Sequence, residues 1–192
     1  DRSDHTRRIL AAAERYDRPD WTYIVTSGAE GEAPEGTPSR FAAYAGHLVS
    51  RSGWDADALW SFFGAGPAGA GSVHADALHL SVTACGKDFL IDSGRFWYMG
   101  DQWQRFAHSS RSHNVILIDG CEQEPLPKKV DAPLSAEHWA VTDAFDYARA
   151  SHDSFAGLSG EAVHTRIVVF LRSAGWVVLD RITTDRPREL TA

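Results

Sequence analysis

The sequence predicts a mainly β protein, an antiparallel β-sandwich preceded by a short helical segment. Three observations carry this. Apolar residues recur at helical spacing only near the start of the chain, a Gly/Pro/Glu stretch follows, and from Arg40 onward the pattern changes to short β-type runs broken by turns. The 192 residues, 43% of them hydrophobic, suffice for one sizeable domain or one domain with a helical extension. Seven Trp, nine Phe and five Tyr demand a core and exclude disorder as the main state.

Residues 3–16 read as a helix, with Ser3 as the cap and Ile9, Leu10, Ala13 and Tyr16 on one face. Residues 17–19 end it at a proline. Residues 27–38 carry no large apolar side chain and form a linker, which divides the chain into a helical segment with linker (1–38) and a sandwich domain (39–192) that is incomplete at its C-terminal end. The β runs are residues 41–51, 58–63, 73–85, 88–93, 114–119, 138–144, 148–154, 163–171 and 176–182. Cys85-Gly86-Lys87-Asp88 reads as a hairpin turn, Ser173-Ala174-Gly175 as another. Many short strands with few helices favour an antiparallel sandwich or barrel.

No apolar run reaches the roughly 18–20 residues of a membrane helix, and no signal-peptide pattern opens the chain. A chain that starts at Asp1 and ends in a charged stretch reads as a fragment whose own compartment stays open, with a periplasmic or secreted parent preferred over a cytoplasmic one. The net charge of −7 speaks against nucleic acid as a partner. Of the basic residues only Lys87, Lys128 and Lys129 are lysines. The arginine bias suits planar contacts with carboxylate or sulfate-like groups, although genome composition accounts for it equally well. Cys85 and Cys121 have no metal-type spacing, and two buried free thiols are preferred over one disulfide.

Residues 64–69 match GxGxxG, with Asp88 at the distance of a ribose-binding acid. The fingerprint must open a helix, whereas residues 73–85 alternate like a strand, so a flexible connection between strands is the better reading. In the stretch from Ser72 to Leu80, His74, Asp76, Leu78 and Leu80 share one strand face, which places two ionisable groups at the edge of the core. His79 falls on the opposite face. His79, His138, His152 and His164 are read as structural or exposed. Asp92 ends an apolar run, His113 precedes another, and Asn114 is the single asparagine of the chain. Two imidazoles and a carboxylate suit zinc, with Asp76 orienting one imidazole from behind. A flat hairpin, however, sets Asp92 near Ser81, short of His74. A two-His-one-carboxylate iron site from His74, Asp76 and His164 is the weaker metal alternative.

With these residues in view, the sequence resembles the heparinase II/III family of polysaccharide lyases over roughly residues 41–182. The resemblance rests on the order and spacing of Ser50-Arg51-Ser52-Gly53-Trp54, Phe62-Phe63-Gly64-Ala65-Gly66-Pro67, His74-Ala75-Asp76-Ala77-Leu78, Asp92-Ser93-Gly94, Ser112-His113-Asn114 and Ile118-Asp119-Gly120. It implies a supersandwich-like C-terminal domain, an upstream α/α toroid of which residues 3–16 are the remnant, and a zinc held by His74, Asp92 and His113. It also implies β-elimination at a uronic acid in an acidic polysaccharide, a glycosaminoglycan or alginate. Ser72 stands where many relatives carry the first His of HxHxD, and serine is no base near neutral pH without a partner. Tyr98 and Arg105 are the further substrate-binding candidates, Tyr98 also the weak candidate for proton transfer, while Trp97 and Trp103 suit stacking on sugar. A noncatalytic carbohydrate-binding or structural module is the alternative.

Overall fold

Strand dominates over helix in the computed structural model, which describes residues 2–66, 74–94, 102–124 and 132–192. The N-terminal pattern folds as two helices, α1 (Arg2–Arg15) and α2 (Pro19–Val25). Pro19 ends the first and, at the first turn of the second, lacks only a backbone N–H that would have no helical partner there. The second helix was not anticipated. The two pack on each other, with Ala13 buried and Tyr16 edge-on to Trp21. No helix among the described residues is long and apolar enough to cross a membrane.

The expected antiparallel sheets follow. β1 (Arg40–Ala42), β2 (His47–Arg51), β3 (Trp60–Gly64), β4 (Leu80–Ala84) and β5 (Lys87–Leu90) pair in that order. β7 (Trp139–Val141), β8 (Phe145–His152), β9 (Ala162–Leu171) and β10 (Gly175–Thr184) form the second sheet, in the order β10-β9-β8-β7. A short ladder joins β6 (Leu117–Ile118) to β11 (Leu190–Thr191). The single run expected over residues 41–51 is thus a hairpin. Gly46 at its turn has φ 64°, and a Cβ there would lie 2.1 Å from the Cα of Gly66, so glycine is required on two counts. The Cys85-Gly86 turn forms as expected, with both residues at positive φ and Ala84 paired to Lys87. Cys85 and Cys121 are free thiols, but Cys85 is exposed rather than buried because it occupies the tip of that turn.

Alternation along the strands builds the core. Leu48, Phe63, Leu80 and Val82 from the first sheet meet Ala148 and Val168 from the second. Phe41 stacks on Trp139 at 4.6 Å, and the Trp176 indole donates to Ser61 Oγ across the sandwich at 2.8 Å. Buried Asp146 pairs with Arg172 at 2.7 Å, and Arg172 also donates to Ser39 Oγ and Arg51 O, joining the sheets at one end. A smaller cluster of Ile116, Ile118, Phe155 and Ala162 fills the other side. Of the GxGxxG stretch, Gly64 ends β3, which pairs antiparallel with β4, and residues 67–69 lie outside the described residues.

Phe63 is fully buried, and Phe63→Ala is expected to cost about 3–5 kcal/mol in a denaturant titration; a loss below about 1 kcal/mol would contradict the assigned core. Burial also pushes the His79 and His152 imidazoles below their ordinary value of 6.5. The unfolded chain therefore takes up protons near 6.5 that the folded chain refuses, so stability is full above that value and declines as the pH falls through and below it. The melting temperature of the chelator-treated protein should be level from pH 8 to 7 and drop towards pH 5; a level profile to pH 5 would show these imidazoles to be solvated.

Candidate functional site

The chain just before β4 is buried yet belongs to no strand. Ala75, Ala77 and Leu78 are 5%, 7% and 2% exposed, so their backbone polar groups need partners other than water. Helix α3 (Gln102–His108) and the 3-10 turn Ser110–Ser112 provide several of them. Ala75 N–H donates to His108 O at 2.9 Å, and Ser110 Oγ donates to Ala75 O at 2.7 Å. Gln123 Nε2 donates to Ala77 O at 3.0 Å, and Leu78 N–H donates to Gly64 O at 3.0 Å. Leu78 itself sits at φ 68°, a left-handed conformation that disfavours a side chain.

This turn corrects the strand reading over residues 74–79. Strict alternation puts His79 on the face opposite His74. The left-handed step at Leu78 breaks the alternation, and His79, 3% exposed, joins the same polar cluster. Asn114 N–H donates to His79 Nδ1 at 3.1 Å, which fixes the proton of that ring on Nε2. His79 Nε2 then faces Ser81 Oγ at 2.8 Å and Asp92 Oδ2 at 3.3 Å. Ligation through Nε2 would require moving that proton to Nδ1, against the Asn114 N–H, so the ring serves as a donor to Asp92.

Asp92 follows β5 and His113 follows the 3-10 turn. The Asp92 carboxylate accepts from His113 Nδ1 at 2.9 Å and from Gly94 N–H at 2.6 Å. The His113 contact, aided by Gly94, outweighs burial and holds the Asp92 pKa down to about 2. His113 therefore keeps its lone pair on Nε2, which lies 3.2 Å from His74 Nδ1. The three residues singled out by sequence thus surround one ring, Asp92 on one nitrogen of His113 and His74 on the other. Asp76, expected behind the imidazoles, stands with them: ligand atoms of His74, Asp76 and His113 lie within 4.8 Å of one another, as do those of His79, Asp92 and His113. A zinc ion fits this donor chemistry. The 3.2 Å between the two imidazole nitrogens is close to the roughly 3.3 Å expected of two nitrogens bound to one tetrahedral zinc.

His108 was missed by sequence reasoning. Its ring stacks on His74 with centroids 4.2 Å apart, and burial followed by His108 lowers the His74 pKa. His108 also lines a neighbouring pocket of about 350 Å³ with Gln104, Arg105, Ser109, Glu122 and Gln123. Arg105 is thereby placed beside the cluster. Trp103 is more than half exposed and lines a separate recess with Phe106. Ser72, Tyr98 and Trp97 lie outside the described residues. His164 is not part of an iron-type triad with His74: it is fully buried and bonds Asp180 at 2.6 Å. Ser110 and Gln123, which hold the His74 segment, carry no local sequence signal, because their partners are peptide carbonyls distant in the chain.

The model of the family described as "Heparinase II/III-like, C-terminal" matches residues 34–192. A heparin-sulfate lyase of Pedobacter heparinus is 26% identical over 163 residues, covering 83% of this chain and 23% of that protein. A crystal structure of a heparan sulfate lyase from the same organism superposes with a TM-score of 0.76 at 21% identity, over 99% of this chain and 29% of that one. A heparinase III structure gives 0.78 at 19% identity, again over 99% and 29%. The structural likenesses show a shared fold, and the chain spans about a quarter of the length of the curated relative. With most of its length matched by that family's model, this chain belongs to the heparinase II/III-like C-terminal family.

Proposed function

We propose that residues 39–192 are the C-terminal sandwich of a polysaccharide lyase acting on a uronic-acid-containing glycosaminoglycan, joined through residues 1–38 to an upstream helical toroid. The domain contributes a zinc site at His74, Asp92 and His113, with the two facing imidazole nitrogens of His74 and His113 as ligands, Asp76 as the carboxylate in reach and Asp92 orienting the His113 ring through Nδ1, and it contributes one wall of the substrate cleft. The carrying observation is the imidazole–carboxylate cluster lying against the pocket that contains Arg105. The named relatives are a heparin-sulfate lyase and a heparan sulfate lyase, which favours a glycosaminoglycan over alginate.

In β-elimination a base takes the proton beside the uronate carboxylate, the bond to the leaving oxygen breaks, a carbon–carbon double bond forms, and the leaving oxygen gains a proton. The carbon acid is weak until the carboxylate charge is neutralised. Arg105 suits that role, because a guanidinium meets a carboxylate through two parallel hydrogen bonds. Tyr98 and Ser72 complete the proposed substrate contacts, and the principal base and acid belong to the toroid. Bound zinc would join the His74 and His113 segments, with Asp92 tied in through the His113 ring, and would add positive charge beside the cleft.

Zinc added to the chelated protein is expected to raise the melting temperature, by mass action on the folded state. Single His74→Ala, Asp92→Ala and His113→Ala variants should each reduce that rise and weaken zinc binding in calorimetry. An undiminished rise in all three would reject the site. For activity, the 192-residue chain should give no sustained unsaturated-uronate absorbance on heparin, heparan sulfate, chondroitin, hyaluronan or alginate, since loss of orientation alone forfeits roughly 7–11 kcal/mol of barrier lowering. Joined to its upstream domain it should cleave a glycosaminoglycan, and Arg105→Ala should lower kcat/KM roughly ten- to a hundredfold, the equivalent of lost charge-assisted hydrogen bonds. Retained sugar binding with no turnover in the joined protein would point instead to a noncatalytic module.

A further inference from the structure

Arg166 lies on β9, in the sheet opposite the cluster, and is only 7% exposed. Its guanidinium is divided between two tasks. Nε and one terminal nitrogen hold the Asp180 carboxylate at 2.8 and 3.0 Å, directly across the β9–β10 ladder. His164 Nε2 completes that carboxylate at 2.6 Å. The other terminal nitrogen donates to two peptide carbonyls, Leu78 O at 2.8 Å and Asn114 O at 2.6 Å. The first carbonyl belongs to the peptide leading into His79, the second to the residue immediately after His113. Asn114 extends the connection, since its N–H fixes His79 and its side-chain amide donates to Leu80 O and to Ile91 O, each at 3.0 Å. One NH₂ group thus sets the separation of the two segments that carry the imidazoles.

We propose that Arg166, braced by Asp180, is the positioning residue for His79 and His113. Its hydrogen bonds go to Asp180 and to the peptides that aim the rings, and through His79 and Asn114 it holds the Asp92 segment as well. Its effect on cation binding rests on the zinc reading above, whereas its effect on the rings does not. Lysine cannot replace it fully, because a single ammonium lacks the planar fork that meets a carboxylate on one edge and two carbonyls on the other.

The test uses the whole chain with Arg166→Met, Arg166→Lys and, as a control for a buried ion pair at the other end of the sheet, Arg172→Met. Two readouts separate positioning from stability. In the metal-free protein, imidazole ¹⁵N spectra should show His79 in its Nε2–H form in wild type and in Arg172→Met, and mixed tautomers in Arg166→Met. With Co²⁺ as the probe, the visible absorption should change in Arg166→Met and zinc affinity should fall roughly tenfold or more, with Arg166→Lys between it and wild type. Arg172→Met should lower the melting temperature without changing the cobalt spectrum. Should wild type bind neither cobalt nor zinc while Arg166→Met still scrambles the His79 tautomer, the zinc reading falls and the positioning role stands. A folded Arg166→Lys or Arg166→Met variant with the wild-type ¹⁵N pattern would overturn the positioning role.

Discussion

The arrangement of the polar cluster depends on one backbone constraint, the left-handed conformation of Leu78. Such a conformation costs a side-chain-bearing residue roughly 1–2 kcal/mol, and it persists only where the surroundings over-determine it. Here they do. The Leu78 side chain is buried in the main core, its N–H donates to Gly64 O, and its carbonyl accepts from Arg166. Reversing the step would expose the leucine or strip two buried peptide groups, each worth about 1–3 kcal/mol when left unpaired. The strained turn is thereby locked, and His79 is directed towards Asp92.

The same constraint explains why the site is built on irregular chain inside a regular sandwich. A strand running straight from residue 73 to 85 would satisfy its carbonyls in the sheet and present its histidines on two faces. The observed segment leaves the sheet before Leu80, so its carbonyls must be met by Ser110, Gln123 and Arg166 from three distant places. Those contacts draw the 3-10 turn after α3, the loop after β6 and β9 around the cluster. The pocket beside it, with Arg105 and His108, is a consequence of the same convergence.

Electrostatics refine the picture. Asp92 is held ionised by His113, Gly94 and His79, so it determines which nitrogen of His113 is free. Asp180 works in the same manner on the far side. Burial raises its pKa, but hydrogen bonds from His164 and Arg166 outweigh that and keep it well below the usual carboxylate range. Two carboxylates thus orient two sets of donors, and the imidazoles between them are left with defined tautomers. The arrangement is one of preorganised lone pairs, which is what a cation site or a proton relay requires.

Local periodicity and turn chemistry were legible from the residues alone. The change from a 3.6-residue to a two-residue repeat marked the sandwich, and Cys85-Gly86 marked a hairpin, because both are properties of neighbouring residues. His74, Asp92 and His113 could be singled out by type and by resemblance, though not their mutual placement around one ring. Tertiary structure decided the rest. The second helix after Pro19, the left-handed step at Leu78, the entry of His79 and His108 into the cluster and the partners Ser110, Gln123 and Arg166 all depend on carbonyls and side chains far apart in sequence. Buried peptide groups must be paired by whatever the fold brings near, and one-dimensional pattern contains no record of what that will be.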